Sequence, residues 1–129
     1  MCSMWATYNY DNFPTINVTI SGVIENDEDF NQFIQKWLAL FTKGEDFNFY
    51  FDTLNCGLIN LKYALWMAIW IKRFKWNRYK NLKFSKILVS NSSVLYLLRL
   101  IFYIERPIAP VEVIYIKNQQ ETNSEIFNP

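Results

Sequence analysis

The sequence predicts an α/β domain, built as a single mixed, mostly parallel sheet of four to five strands with three helices mainly on one face. Strand and helix patterns alternate along the 129 residues, which is typical of parallel strands joined by helical crossovers. Two strand patterns, Thr15–Ser21 and Phe47–Thr53, place polar side chains at alternate positions. Strands buried on both faces are instead continuously apolar, so we expect one face of this sheet to be open.

A hairpin and a helix are predicted for the first third of the chain. Residues 3–9 and Thr15–Ser21 have strand patterns, with turn residues between them. The acidic stretch Glu25–Asp29 then precedes a helix with one apolar face over residues 30–41. Its carboxylates complement the helix dipole, and its Asn or first Asp is suited to cap the first turn. Gly44 is placed to end this helix in a left-handed conformation.

A strand, a loop and a long apolar helix form the centre of the predicted fold. The strand Phe47–Thr53 leads through the loop 52–60 into this helix. Two apolar stripes run along it, one through Leu58, Leu61, Leu65 and Ala68 and the other through Ile59, Tyr63, Trp66, Trp70 and Phe74. One sheet cannot cover so much apolar surface, so we expect a partner. Tyr63, Trp66 and Trp70 are the candidate anchors, because Trp and Tyr are enriched at interfaces; core packing is the alternative.

The second half of the chain continues the same alternation. A third strand is predicted over Phe84–Ser90, a third helix from Val94 to about Ile104, and a last strand over Val111–Ile116. The polar residues 117–129 are expected to form a loose tail. The length is that of a single domain over residues 1–129.

Several of these segments together resemble the STAS domain, the small fold of bacterial anti-sigma-factor antagonists and of sulfate-transporter tails. The resemblance covers roughly Thr15–Ile116 and rests on the Ser21-Gly22 exit from a strand, on FYFDT before the loop and long helix, on KILVSNSSV and on PVEVIYI. Such a resemblance implies a regulatory module that acts through protein contacts. Phosphorylatable members carry a Ser or Thr in an Asp-Ser-Ser/Thr-Gly-type motif before the central helix. The corresponding stretch here, Asn55–Asn60, has neither, so this switch does not carry over.

The loop before the central helix is a further candidate for partner binding. Asp52, Thr53 and Asn55 lie where a central strand gives way to a helix, and α/β folds tend to bind ligands and anions at such positions. Capping of the helix by these residues is the alternative. Cys56 lies near the same helix N-terminus, a position that can lower a thiol pKa.

Charge is unevenly distributed, although the net charge is only +1. Residues 1–52 contain eight acidic and two basic side chains, whereas residues 53–104 contain nine basic side chains and no acidic one. Seven cations lie in the basic segment Lys72–Lys86, whose partner-binding candidates are Lys72, Arg73, Lys75, Trp76, Arg78 and Lys80. Basic and aromatic side chains together suit single-stranded nucleic acid or an anionic membrane surface. A solvated helix end is the alternative.

Catalytic and metal chemistry are not predicted. Histidine is absent, no Gly-rich phosphate loop is present, and the acidic cluster lacks the spacing of a calcium loop. We therefore expect no enzymatic activity, cofactor or metal. Two cysteines and no visible signal peptide predict free thiols in a reducing, cytoplasmic compartment. The longest apolar runs fall well short of twenty residues, so no transmembrane segment is expected.

The function predicted from these observations is that of a non-enzymatic protein-interaction or regulatory module with a STAS-like fold. Its partner is expected to be a protein, with a homodimer through the central helix as one form. The alternative is a domain that binds nucleic acid or an anionic surface through Lys72–Lys86. A third class is a small-ligand carrier with an apolar pocket between the helix layer and the sheet.

Overall fold

The computed structural model describes residues 5–24, 26–118 and 121–129. Cys2 and the first two residues of the predicted strand 3–9 lie outside the described residues. Within them the elements are β1 (Ala6–Asn9), β2 (Thr15–Gly22), α1 (Asp27–Thr42), β3 (Phe47–Cys56), α2 (Leu61–Trp76), β4 (Leu82–Val89), α3 (Ser92–Ile104), β5 (Val111–Asn118) and β6 (Glu121–Phe127).

All these strands belong to one mixed sheet whose spatial order follows the chain, β1-β2-β3-β4-β5-β6. The four strands β2 to β5 pair in parallel, while β1 and β6 pair antiparallel at the two edges. The predicted α/β class, with one mixed sheet and three helices, is confirmed. The prediction of four to five mostly parallel strands was wrong, because the sheet has six described strands and antiparallel pairings at both edges.

The sixth strand lies in the segment 117–129 that was predicted to be a loose tail. β6 pairs with β5 from Val111 opposite Phe127 to Asn118 opposite Glu121. The polar sequence of this segment does not predict a strand. An edge strand needs few buried side chains, so no apolar alternation is required. The antiparallel hairpin of β1 and β2, in contrast, forms as expected, with Ala6 opposite Ile20.

One face of the sheet carries the hydrophobic core. Val18, Phe51, Ile87 and Val113 lie side by side across the four parallel strands, and all four are buried. The three helices pack on this face and contribute buried side chains to this core, while α2 and α3 form a second, smaller cluster of Ala64, Ala68, Ile71 and Ile101 between them. Trp37 of α1 lies at its centre, because its ring contacts rings from both β3 and α2.

The opposite face of the sheet is open, as the polar alternation predicted. Asn17, Tyr50, Lys86 and Glu112 form a row across the same four strands, and each is only half-buried. The Nζ atom of Lys86 lies 3.7 Å from the Glu112 carboxylate. This row therefore contributes polar surface rather than core.

The ends of α1 follow the predicted signals. The side chain of Asn26 accepts a hydrogen bond of 3.1 Å from the Asp29 N–H, so Asn26 is the N-cap. Gly44 follows the helix with φ of 78°, a left-handed conformation that glycine adopts without steric cost. In the described part of the chain, no helix combines the length and hydropathy that a membrane-spanning segment requires.

Candidate functional site

The outward face of α2 carries a line of exposed apolar side chains. Leu61, Leu65 and Ile69 are spaced four residues apart along one side of the helix, and Trp76 lies on the same side seven residues after Ile69. Their exposed fractions are 54%, 44%, 49% and 85%, respectively. We call these four residues the α2 stripe. Single exposed apolar residues are ordinary, but a contiguous group is typical of an interaction surface.

Basic side chains accompany the α2 stripe. Lys72 lies on the same side of the helix as Leu65, seven residues further on, and Lys62 and Arg73 border that side. The Arg73 guanidinium lies over the Trp70 ring, 5.0 Å from its centroid. Residues 53–104 contain no acidic side chain, so no acid from α2, β4 or α3 offsets this positive charge. Asp27 of α1, however, pairs with Lys62 at 3.0 Å, which leaves Lys72 and Arg73 as the main cations beside the stripe.

The predicted aromatic anchors lie on the inner side of α2. Tyr63 is buried, and its ring centroid is 5.5 Å from that of Phe30 in α1. Trp66 and Trp70 are half-buried and pack against the core. These three residues therefore hold α2 on the domain. The α2 stripe contains instead Leu61 and Leu65, which belong to the other of the two apolar stripes that were predicted for this helix.

A signal in the sequence distinguishes the two sides of α2. Lys72 follows Leu65 by seven residues and Leu61 by eleven, so the three share one side of the helix. Lysine is seldom fully buried without a partner. The position of Lys72 therefore indicates that the side with Leu61 and Leu65 faces outward.

Asp52, Thr53 and Asn55 belong to β3 and do not form a loop. β3 continues to Cys56, so successive side chains alternate between the two faces of the sheet. Asp52 is half-buried on the open face, Thr53 is buried in the core, and Asn55 is exposed. The Thr53 hydroxyl donates a hydrogen bond to the backbone carbonyl of Leu88. The structure therefore does not bring these three residues together as one site.

The loop that precedes α2 is shorter than predicted and covers Gly57–Asn60. Asn60 is the N-cap of α2, with its side chain accepting a hydrogen bond of 2.9 Å from the Lys62 N–H. Capping by Asp52, Thr53 or Asn55 was therefore a wrong prediction. The N–H of Gly57 donates to the Gly22 carbonyl at 2.8 Å. A Cβ atom at Gly57 would lie only 2.7 Å from the Val23 side chain, which explains the glycine.

Cys56 is a buried free cysteine at the end of β3. Burial raises the pKa of its thiol to about 11, although the Trp5 indole acts in the opposite direction. The sulfur lies 3.4 Å from the Gly57 carbonyl oxygen. The predicted lowering of this pKa was therefore wrong, because Cys56 belongs to β3, four residues before the N-cap Asn60, and its burial disfavours the thiolate.

The basic segment Lys72–Lys86 does not form one patch. Lys75 pairs with Glu105 at 3.0 Å, Lys83 lies 3.9 Å from Asp46, and Lys86 is on the open face of the sheet. Arg78 and Lys80 are exposed in the turn between α2 and β4. The cations left on the outward side of α2 are accordingly fewer than the sequence indicates.

The aromatic residues of this segment also divide between inside and outside. Phe74 is buried in the core. Tyr79 stacks on Phe41 of α1, with centroids 5.1 Å apart and an interplanar angle of 7°. Trp76 and Phe84, with exposed fractions of 85% and 36%, are left as exposed rings, and Phe84 lies on the open face of the sheet, away from α2.

The described residues contain no group of three or more cysteine, aspartate or glutamate side chains arranged to hold a metal ion. Comparisons of this chain with family models, with curated proteins and with solved structures give no match. The resemblance to the STAS domain therefore stays a prediction, and the function is inferred from the site itself: an apolar helix face accompanied by basic side chains.

Proposed function

We propose that this chain is a non-enzymatic protein-interaction or regulatory module with a STAS-like fold, and that its partner docks on the outward face of α2. The observation that carries the proposal is the α2 stripe, whose four apolar side chains would leave water when a second surface covers them. Trp76 is suited to anchor the contact, because it combines a large ring with 85% exposure.

The charge around the α2 stripe favours an acidic partner. Lys72 and Arg73 accompany the stripe, whereas Lys62 beside them is already paired with Asp27 at 3.0 Å. Complementary charge steers association and suppresses wrong partners. A helix with an apolar face and acidic borders has the matching chemistry. A homodimer through α2 is the less favoured form, since both copies would bring the same basic side chains, Lys72 and Arg73, to an interface to which α2 contributes no acid.

Regulation of this module by phosphorylation at the usual loop is not part of the proposal. The loop Gly57–Asn60 contains no hydroxyl side chain. Thr53, the nearest hydroxyl on the N-terminal side, is buried, and it donates its hydrogen bond to Leu88. We therefore propose that binding at the α2 stripe is controlled by the concentration and affinity of the partner and not by phosphorylation of this loop.

A matched pair of variants tests the proposal. Ile69→Glu places a charge in the middle of the α2 stripe, while Ile126→Glu makes the same change on β6, at a position of 64% exposure. Each protein is immobilised and incubated with a lysate of the source cells. We expect the wild type and Ile126→Glu to retain the same protein at similar yield, and we expect Ile69→Glu not to retain it. Equal retention by both variants, or by neither of them, would contradict docking on α2.

An anionic membrane surface is the second candidate, favoured by the same combination of an apolar stripe with basic borders. Its test is flotation with vesicles of phosphatidylcholine, with and without phosphatidylserine. Binding that requires phosphatidylserine and is lost in Ile69→Glu would favour the membrane over a protein partner. Nucleic acid is less well supported, because Phe74 and Tyr79 pack against other rings and Phe84 lies on the open face of the sheet. Trp76 is then the ring beside the α2 cations that could stack on a base.

A further inference from the structure

An apolar cavity of about 140 Å³ lies between the sheet and the helix layer. Its floor includes Phe51, Ile87 and Val111 from the sheet, and its roof includes Ala64 and Met67 from α2 and Leu98 from α3. These residues lie on the core side of each element, whereas the α2 stripe faces outward. The cavity and the proposed docking surface are therefore separate sites on opposite sides of α2.

Among the described residues that line the cavity, none is charged and few carry hydrogen-bonding groups. Three buried hydroxyl residues line it, Thr53, Tyr63 and Ser85. The Thr53 hydroxyl already donates to the Leu88 carbonyl and the Tyr63 hydroxyl to the Asp27 carboxylate. A buried water needs two to four polar partners, which these walls do not supply in one place. The interior is thus suited to an apolar occupant rather than to water.

The two tryptophans of the wall, Trp5 and Trp37, do not change this conclusion. Their indole nitrogens are buried and make no hydrogen bond within the described part of the chain. The Trp5 indole faces the Cys56 thiol and the Trp37 indole faces the Tyr8 hydroxyl, close enough to affect the pKa of each, but without hydrogen-bond geometry. Because both nitrogens are packed against protein, they are not available to a molecule in the cavity.

The size of the cavity argues for an occupant. Protein interiors contain few voids larger than a water molecule, which needs roughly 10–15 Å³. A dry apolar cavity of about 150 Å³ is known to accept benzene. The cavity here is of the same order and equally apolar.

We infer that this cavity is a binding site for a small, uncharged, mostly apolar molecule, on the order of the size of benzene or of a short alkyl chain. A charged ligand is disfavoured, because the lining residues that the structure describes include no charged side chain to pair with it. One polar atom can be accommodated at Ser85. This inference is independent of the proposed docking on α2.

Titration of the wild-type protein with toluene, 1-hexanol and hexanoate at pH 7 tests the inference by calorimetry and thermal unfolding. We expect saturable one-to-one binding of toluene and 1-hexanol with a raised Tm, and no saturable binding of the charged hexanoate. Absence of saturable binding by both uncharged probes would overturn it. Tighter binding of hexanoate than of 1-hexanol would do the same.

A matched pair of variants shows where the probes bind. Ala64→Leu adds three carbons to the cavity wall, whereas Ala39→Leu adds them on the exposed side of α1. We expect Ala64→Leu to weaken toluene binding at least about tenfold and Ala39→Leu to leave it unchanged. If circular dichroism shows that Ala64→Leu is unfolded, Val94→Leu takes its place at another wall position. Unchanged binding in the folded wall variant overturns the inference. Ile69→Glu should bind toluene as the wild type does, whatever happens to its protein partner.

Discussion

The hydroxyl of Tyr63 donates a hydrogen bond of 2.9 Å to the carboxylate of Asp27, which joins the first turn of α2 to the first turn of α1. Lys62 lies 3.0 Å from the same carboxylate. The hydrogen bond from Lys62, followed by that from Tyr63, lowers the pKa of Asp27. Tyr63 is thus fixed toward α1, which explains why it is not available as an outward anchor.

The Asp27 carboxylate should contribute to stability in a pH-dependent way. Its folded-state pKa is lower than the unfolded value of about 3.9, so its contribution is present above that pH and is lost as the pH falls through the folded-state pKa. Asp27→Asn should therefore have a shallower loss of stability between about pH 5 and pH 2 than wild type. Urea unfolding at several pH values measures this difference. High salt should reduce it, because both partners are exposed; identical pH profiles would contradict the prediction.

Trp37 and Ile69 should differ sharply in their effect on stability. Trp37 is buried among rings of α1, β3 and α2, with the Phe49 centroid 4.8 Å away. Trp37→Ala should lower the free energy of unfolding by about 3–5 kcal/mol, whereas Ile69→Glu, on the exposed α2 stripe, should change it by about 0.5 kcal/mol or less. Denaturant titration measures both. A large loss in Ile69→Glu would show that the stripe is part of the fold rather than a free surface.

The sequence predicted correctly those elements in which buried and exposed residues alternate with the regular period of a strand or a helix. β2 and β3 alternate between apolar and polar residues, and α1 combines one apolar face with a polar cap, so each is visible in the sequence. β6 was missed because Thr122 and Ser124 belong to an edge strand, where polar side chains carry no burial signal. Pairing with β5, which the local sequence does not encode, determines this strand.

The orientation of α2 was harder to predict than its existence. Apolar residues occur on both of its sides, so the apolar pattern alone does not separate Tyr63 from Leu65, and Lys72 on the side of Leu65 is the signal that does. Contacts with α1 decide the orientation, through Phe30 and Asp27. The sequence analysis named an apolar pocket between the helix layer and the sheet but predicted neither its size nor its lining residues. Its volume depends on how side chains from several elements pack together.

Cys56 should make the protein less stable at alkaline pH. Burial raises its pKa to about 11 in the folded protein, whereas an unfolded thiol titrates near about 8.5. The contribution is present below about pH 8.5 and is lost as the pH rises through the folded-state value. In a Cys2→Ser background, Cys56→Ala should therefore have a flatter stability profile between about pH 8.5 and pH 11.

Alkylation provides a second measurement on the same background. Iodoacetamide at about pH 8 should modify Cys56 slowly in the folded protein and rapidly in urea, because the thiolate is the reactive form and burial disfavours it. Rapid modification of the folded protein, at the rate of the unfolded chain, would show that the thiol is neither buried nor raised in pKa.

Arg78 should destabilise the turn that follows α2. Its φ is 59°, a left-handed conformation that is unfavourable for a residue with a Cβ atom. The turn itself is well formed, because the Arg78 N–H donates to the Lys75 carbonyl at 3.0 Å and the Tyr79 N–H to the Phe74 carbonyl at 3.2 Å. Glycine is the residue that helices most often place at such a terminus. Arg78→Gly should therefore raise the free energy of unfolding by about 0.5–1 kcal/mol.

The neighbouring Asn77 provides the control for this prediction. Its φ is −78°, and its side chain donates a hydrogen bond of 3.0 Å to the Arg73 carbonyl. Asn77→Gly should therefore lower the free energy of unfolding, since it removes this bond and adds backbone freedom without relieving any strain. Opposite signs for the two glycine variants in urea unfolding would establish the strain at Arg78. Arg78→Gly also removes an exposed cation. If this variant binds the partner as the wild type does, the basic side chains that contribute to partner binding are those that accompany the α2 stripe and not Arg78.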